Sequence, residues 1–243
     1  MGAAGAAGLV VVVGLLAGVM VISGSGHEHL ARRAVVSVVA VLAFVAPLFF
    51  ACAGSVRNLG RLAAGMGGGA AALTLFSLAM DPGAAGGALL AVVYVLSYSI
   101  FAFGLASAAG RALSSRAAGR TLTVAMLLVA ATTTFTTGGL YEGLEGSPGA
   151  HTAAVRLSVG CNPFLMANRV LTVASRGGGS YIPKQGAILY DLWIGTDFAF
   201  GYPAWWPLAI RWSALGTALW ALAEWLPRRL SREAAEPSAS PEP

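Results

Sequence analysis

Few side chains in this sequence have the chemistry of a catalytic or metal-binding group, and the most suggestive set is His27, Glu28 and His29. Two imidazoles and a carboxylate are common zinc ligands. A zinc protease helix has its histidines in a His-Glu-x-x-His motif, whereas here a single residue separates them. This spacing permits chelation only from an extended loop. The sequence therefore predicts a solvated loop, with metal binding as the alternative.

A second group of polar residues lies within or beside long apolar segments. Arg211 is a cation inside such a segment, where a charge is by default a functional hypothesis, although its side chain is long enough to reach the lipid headgroups. Thr133 and Thr137 belong to a run of threonines that can line a polar path. More often such hydroxyls bond to carbonyls of their own helix. Thr133, Thr137 and Arg211 are the candidate substrate path.

Several catalytic signatures are missing from the sequence. Lys184 is the only lysine and no phosphate-binding Gly-x-x-x-x-Gly-Lys-Ser/Thr loop contains it, which excludes ATP hydrolysis by that route. There is no Gly-x-Ser-x-Gly nucleophile motif, and deep intramembrane carboxylates of a proton relay are lacking. We predict a chain that is not an enzyme and that holds no metal and no cofactor.

The composition indicates whether this chain is surrounded by water or by lipid. Of the 243 residues 57% are hydrophobic and 10% are charged, and the mean hydropathy is +0.74. A soluble domain has about 25% charged residues. The chain is therefore predicted to be an integral membrane protein, and its 32 glycines favour close helix packing. The net charge of +5 is dispersed in short clusters, which argues against a nucleic-acid partner.

Six apolar segments are long enough to cross about 30 Å of hydrocarbon as helices. They span residues 3–23, 34–54, 62–80, 87–110, 121–140 and 204–226. An open sheet cannot satisfy its backbone in lipid, so the predicted fold is all-α with six transmembrane helices. We expect one transmembrane domain over residues 1–230 and a disordered cytoplasmic tail over residues 231–243.

The basic residues predict the orientation of these segments. The short connections on one side hold eight arginines, at positions 57, 61, 111, 116, 120, 228, 229 and 232. The short connections on the other side hold only Arg32 and Arg33. By the positive-inside rule both termini are cytoplasmic, in a multi-pass protein of the bacterial inner membrane.

The long outer connection over residues 141–203 contains its own helix signal. Asn162 is a good N-cap, Pro163 is suited to the first helical position, and glycines at 177–179 end the apolar stretch. The rest of the connection mixes aromatic and acidic residues, as the lipid headgroup layer favours. We predict short helices that fold back on the membrane or dip into it.

This organisation resembles the six-helix permease subunits of ABC exporters. The stretch from Phe101 to Arg111, with Ser114-Ser115-Arg116 and the apolar run after Arg120, is similar to the passage from the fourth to the fifth helix of that family. The Asn162-Pro163-Phe164 turn is similar to its outer-loop region. The family usually begins with a basic amphipathic helix, whereas here we expect the chain to enter the membrane at once, from residue 3.

The resemblance implies a homodimer or heterodimer of permeases in the lipid bilayer, with each permease bound to a separate ATPase subunit. It implies that coupling loops transmit the motion of the ATPase, and these would contain Arg57, Arg61, Arg111, Arg116 and Arg120. The substrate path would lie between the two permeases.

Two other classes of function compete with this reading. The first is a membrane enzyme of the outer surface that uses His27, Glu28, His29, Asp191 or Asp197. The second is a non-catalytic scaffold that assembles a membrane complex.

Overall fold

The computed structural model describes residues 27–80, 82–136, 146–174 and 204–235, and each secondary-structure element in these ranges is an α-helix. The helices, in chain order, are α1 His27–Ala51, α2 Val56–Met80, α3 Pro82–Ala112, α4 Arg116–Thr136, α5 Pro148–Cys161, α6 Pro163–Ala174 and α7 Trp205–Ala235. The predicted all-α class is confirmed for this part of the chain. The predicted segment 3–23 lies outside the described residues.

Five of the six predicted segments coincide with α1, α2, α3, α4 and α7, and the predicted short helices of the outer connection are α5 and α6. Two described helices are long and apolar enough to cross a membrane, over Val56–Leu78 in α2 and Ala85–Ala112 in α3. In α1 a shorter apolar stretch spans Val38–Ala51. The larger number of six crossings stays a prediction.

The first helix corrects the interpretation of the histidine pair. His27, Glu28 and His29 form the beginning of α1 and not a solvated loop. Each residue of an α-helix advances about 100° around the axis. A helical backbone therefore does not offer the extended geometry that chelation at this spacing requires.

The turn between α1 and α2 is short and closed by specific caps. Gly54 adopts a left-handed φ of +71°, which a glycine does at little cost. Ser55 then caps α2, because its Oγ accepts the Asn58 N–H at 3.3 Å, and the Asn58 side-chain amide donates to the Ala53 carbonyl at 2.9 Å. The cap starts α2 at residue 56, before the predicted start at 62.

The turn between α3 and α4 has the same design. Ser114 has a φ of +50°, and its N–H donates to the Arg111 carbonyl while the Ser115 N–H donates to the Gly110 carbonyl. These two bonds are the Schellman closure of a helix C-terminus. The Ser115 Oγ accepts the Ala118 N–H at 3.3 Å and caps α4. The helix therefore begins at residue 116 and not at 121.

The centre of the bundle is α3, which contacts α1, α2, α4, α6 and α7. Ala88, Ala91, Tyr94 and Val95 of α3 are completely or almost completely buried. A helix that is apolar on all sides must be covered by other helices or by lipid. The other helices are thus arranged around α3.

The closest approach in the bundle joins α3 and α7. A Cβ added to Gly216 would lie 2.6 Å from both the Ile100 carbonyl oxygen and the Phe101 Cα, and Gly104 faces the Gly216 backbone equally closely. The buried small residues Ala209, Gly216 and Ala223 follow one another at intervals of seven along α7. This stripe lets the two backbones touch, as small residues do between membrane helices.

The last helix is longer than predicted. It continues to Ala235, so residues 231–235 belong to α7 and not to the predicted disordered tail. Arg232, Glu233 and Ala234 are good helix formers, which explains the extension.

The contact between α3 and α7 gives a test of the fold. We expect Gly216→Ala to lower the free energy of unfolding by about 1–3 kcal/mol, because the added methyl group meets fixed backbone atoms. Gly68→Ala is the matched control, since nothing lies within 4 Å of its added Cβ. Thermal unfolding in detergent measures both variants, and equal stability of the two would contradict the close contact.

Candidate functional site

A cavity of about 380 Å³ opens at the end of the bundle where α1 and α3 end and where α2 and α4 begin. The second half of α7 forms its remaining wall. We call it the arginine cavity, because Arg111, Arg116 and Arg120 line it. Its serine lining residues are Ser55, Ser107 and Ser114, and Trp220 and Glu224 come from α7.

The inner surface of the arginine cavity is apolar. Ala51, Phe103, Ala106 and Ala223 line it and are at most 8% exposed. Arg111, Arg116 and Ser114 are exposed. The cavity is therefore amphipathic, with charged groups toward solvent and a nonpolar floor within the bundle.

Arg120 of α4 lies against the turn between α1 and α2. Its side chain is half-buried, and its Nη2 atom would lie 2.5 Å from a Cβ added to Gly54.

The five predicted coupling arginines lie in helices and not in the loops where they were expected. Arg57 and Arg61 are exposed in the first two turns of α2, and Arg116 and Arg120 occupy the corresponding turns of α4. Arg111 is in the last turn of α3. They belong to helix ends and not to loops, because Ser55 and Ser115 cap the helices ahead of them.

The electrostatics of this end are unbalanced. The N-terminus of a helix carries a partial positive charge that acidic residues usually offset. Neither α2 nor α4 has an acidic residue in its first turn, and both have arginine there. Glu224 is the one carboxylate among the lining residues of the arginine cavity. The cavity is consequently electropositive.

The structure describes only part of the candidate substrate path. Arg211 is exposed on α7, whereas Thr137 and the side chain of Thr133 lie outside what the structure describes. The neighbouring Thr132 hydroxyl donates to the Leu128 carbonyl at 2.9 Å. The expectation that these hydroxyls bond to their own helix is confirmed for Thr132.

The turn between α5 and α6 is fixed inside the bundle. Asn162 is fully buried, and its Oδ1 accepts the N–H groups of Phe164 and Leu165 at 3.0 and 3.2 Å. Its Nδ2 donates to the Ala131 carbonyl of α4 at 3.0 Å. The predicted N-cap is confirmed, and the same side chain also joins α6 to α4.

A second anchor for this turn comes from α3. The Tyr98 hydroxyl donates to the Cys161 carbonyl at 2.8 Å. Tyr98 also packs edge-on against Trp212, with 5.4 Å between ring centroids. The Trp212 Nε1 donates to the Tyr94 hydroxyl at 3.3 Å. These contacts join α3, α5 and α7 at the middle of the bundle.

Sequence reasoning missed three parts of this arrangement. It did not place Glu224 beside the arginine cavity, where the structure finds it. It gave no role to Trp212 or Trp220. A signal for the α7 packing face was present in the seven-residue spacing of its small residues. No such signal marked Glu224 as a lining residue.

Further findings concern metals, thiols and known proteins. No group of three or more histidine, cysteine or acidic side chains that could hold a metal ion occurs within the described ranges. Both cysteines are free thiols. Comparison with known proteins gives no match to a family model, to a curated protein or to a solved structure.

The left-handed conformation of Gly54 and its contact with Arg120 can be tested by adding one methyl group to Gly54. We expect Gly54→Ala to lower the free energy of unfolding by about 1–2 kcal/mol, because alanine disfavours a left-handed φ. The added methyl group would also displace Arg120. The exposed helical Gly60 is the control, and Gly60→Ala should be neutral or stabilising by about 0.5–1 kcal/mol. Denaturant unfolding compares them, and no loss in Gly54→Ala would contradict the geometry.

Proposed function

We propose that the chain is the membrane permease subunit of an ATP-driven exporter of the ABC type, and that it works with a separate ATPase subunit. The observation that supports this most is the meeting, at one end of the bundle, of two short capped turns whose neighbouring helix ends carry arginines. Such an end offers a partner protein a defined cationic surface. The sequence resemblance gives the same residues to coupling.

The proposal places the chain across the bacterial inner membrane with six crossings. Large apolar side chains are exposed on the outer faces of three helices, and examples are Leu75 of α2, Val129 of α4 and Ile210 of α7, each more than 60% exposed. Exposed apolar surface of this extent suits lipid and not water. Trp206 and Trp225, which are 59% and 52% exposed, suit the two interfacial layers.

The directions of the helices support an alternating topology. The ends of α1 and α3 and the second half of α7 line the same cavity. Trp212, earlier in α7, contacts Tyr94 and Tyr98, earlier in α3. Helices α1, α3 and α7 therefore run toward the arginine cavity, while α2 and α4 run away from it. We place the cavity end in the cytoplasm.

The coupling step follows from the arginine positions. Arg57 and Arg61 are exposed at the start of α2, where an acidic surface of the ATPase can bind them. Because Arg120 lies against Gly54, displacement of the α1–α2 turn reaches α4 directly. The α1–α2 turn would receive the motion of the ATPase and α4 would carry it through the membrane.

The opposite half of the bundle would face the outer side. There α6 packs against α1 and α3, and Asn162 joins it to α4. In the proposal two permeases pair, and the substrate leaves between them along a path to which Thr133, Thr137 and Arg211 contribute.

Purification of the tagged chain from its own cells tests the partner. An ATPase subunit should co-purify, and the double variant Arg57→Glu, Arg61→Glu should lose it, because like charges then face each other. The control is Arg156→Glu, since Arg156 is exposed on α5, away from the cavity. Isolation of the wild-type chain without any ATPase, or equal loss in both variants, would contradict the proposal.

Thiol labelling tests the orientation separately. Cys52 is exposed in the α1–α2 turn, whereas Cys161 is half-buried and burial raises the pKa of its thiol. Since thiolates are the reactive form, Cys161 should react slowly. In intact cells a membrane-impermeant maleimide should label Cys52 only after permeabilisation, with Cys161→Ser as the background. Labelling before permeabilisation would place the arginine cavity outside.

A further inference from the structure

We propose that the arginine cavity is a binding site for a phosphate group, carried either by a membrane lipid or by a soluble anion. This inference rests on the cavity itself and does not require the exporter function. It assigns a ligand class to a space that coupling alone leaves unexplained.

The charge of the lining residues points to an anion. Arg111, Arg116 and Arg120 contribute three guanidinium groups, and Glu224 contributes one carboxylate. One carboxylate cannot neutralise three guanidinium groups. The N-terminus of α4, where Arg116 is the first helical residue, adds the partial positive charge of a helix start.

The donor groups favour phosphate over other anions. A guanidinium presents paired N–H donors that match two phosphate oxygens. The lining also includes Ser55, whose oxygen accepts the Asn58 N–H and whose hydroxyl proton is therefore still a donor. Guanidinium groups that come from two different helices can surround a tetrahedral group, whereas a planar carboxylate uses fewer of them.

The size and floor of the cavity agree with this ligand. A volume of about 380 Å³ falls within the range of small-molecule sites. The buried floor of Ala51, Phe103 and Ala106 offers nonpolar surface below the charged opening. A phosphate with an attached hydrocarbon fits both parts, and a free phosphate or pyrophosphate fits the opening alone.

The test uses the full chain with two kinds of probe. In the first arm, native mass spectrometry measures how much phosphatidylglycerol the protein retains from mixed phosphatidylcholine nanodiscs. In the second arm, the shift in thermal unfolding temperature is measured with pyrophosphate in detergent. We expect wild-type protein to respond in at least one arm. A response in the first arm alone identifies a lipid headgroup, and a response to pyrophosphate identifies a soluble anion.

Variants that are expected to change anion binding in opposite directions show whether the response comes from the cavity. Arg111→Gln and Arg120→Gln should each weaken the response about tenfold, which is the size of one lost charged hydrogen bond. Glu224→Gln should strengthen it, because it removes the repelling carboxylate. A purely structural role of these residues does not predict such a gain. Arg156→Gln is the matched control and should match wild type.

The proposal is overturned if wild-type protein responds in neither arm. It is also overturned if Arg156→Gln weakens binding as much as Arg120→Gln, since binding would then follow total charge and not the cavity. If an arginine variant fails to fold, Glu224→Gln still decides the question, because unchanged or weaker binding in that variant contradicts an anion site.

Discussion

The rest of the structure depends on the burial of α3. This helix has no polar face, so each of its sides must be covered by another helix or by lipid. The tightest cover is α7, where Gly104 and Gly216 bring backbone against backbone. Two aromatic anchors, Tyr94 and Tyr98, then fix the height of α7 through Trp212. Because that height is fixed, Glu224 is carried to the level at which α3 ends, and the arginine cavity follows from the packing of its neighbours.

The two turns have a comparable effect at the arginine end. Each consists of a left-handed residue, Gly54 or Ser114, followed by a serine cap. A cap of this kind begins the next helix at once, so the following arginines are held on helical turns. Long side chains on a rigid helix lose less freedom when they bind than they would on a mobile loop. The caps therefore fix the backbone positions from which these arginines extend.

The sequence predicted what depends on local patterns. Hydropathy located five described helices, and the Asn162-Pro163 pair marked the start of α6, because capping is decided within a few residues. The starts of α2 and α4 were placed too late, since arginine lowers hydropathy whereas Ser55 and Ser115 decide where a helix begins. The cavity could not be predicted, because it requires the rotation and height of α7 relative to α3. Those are set by long-range contacts such as the one at Gly216.

The arginines of this end form two sets with different surroundings. Arg57 and Arg61 do not line the cavity. Both are exposed, which suits the binding of a large partner. Arg111, Arg116 and Arg120 surround a space too small for a protein and large enough for a phosphate. Arg120 belongs to the inner set yet also touches the turn that precedes Arg57. An anion held by Arg120 would therefore fix that turn, so binding in the cavity and binding of a partner at α2 would be linked, with equal and reciprocal effects on affinity.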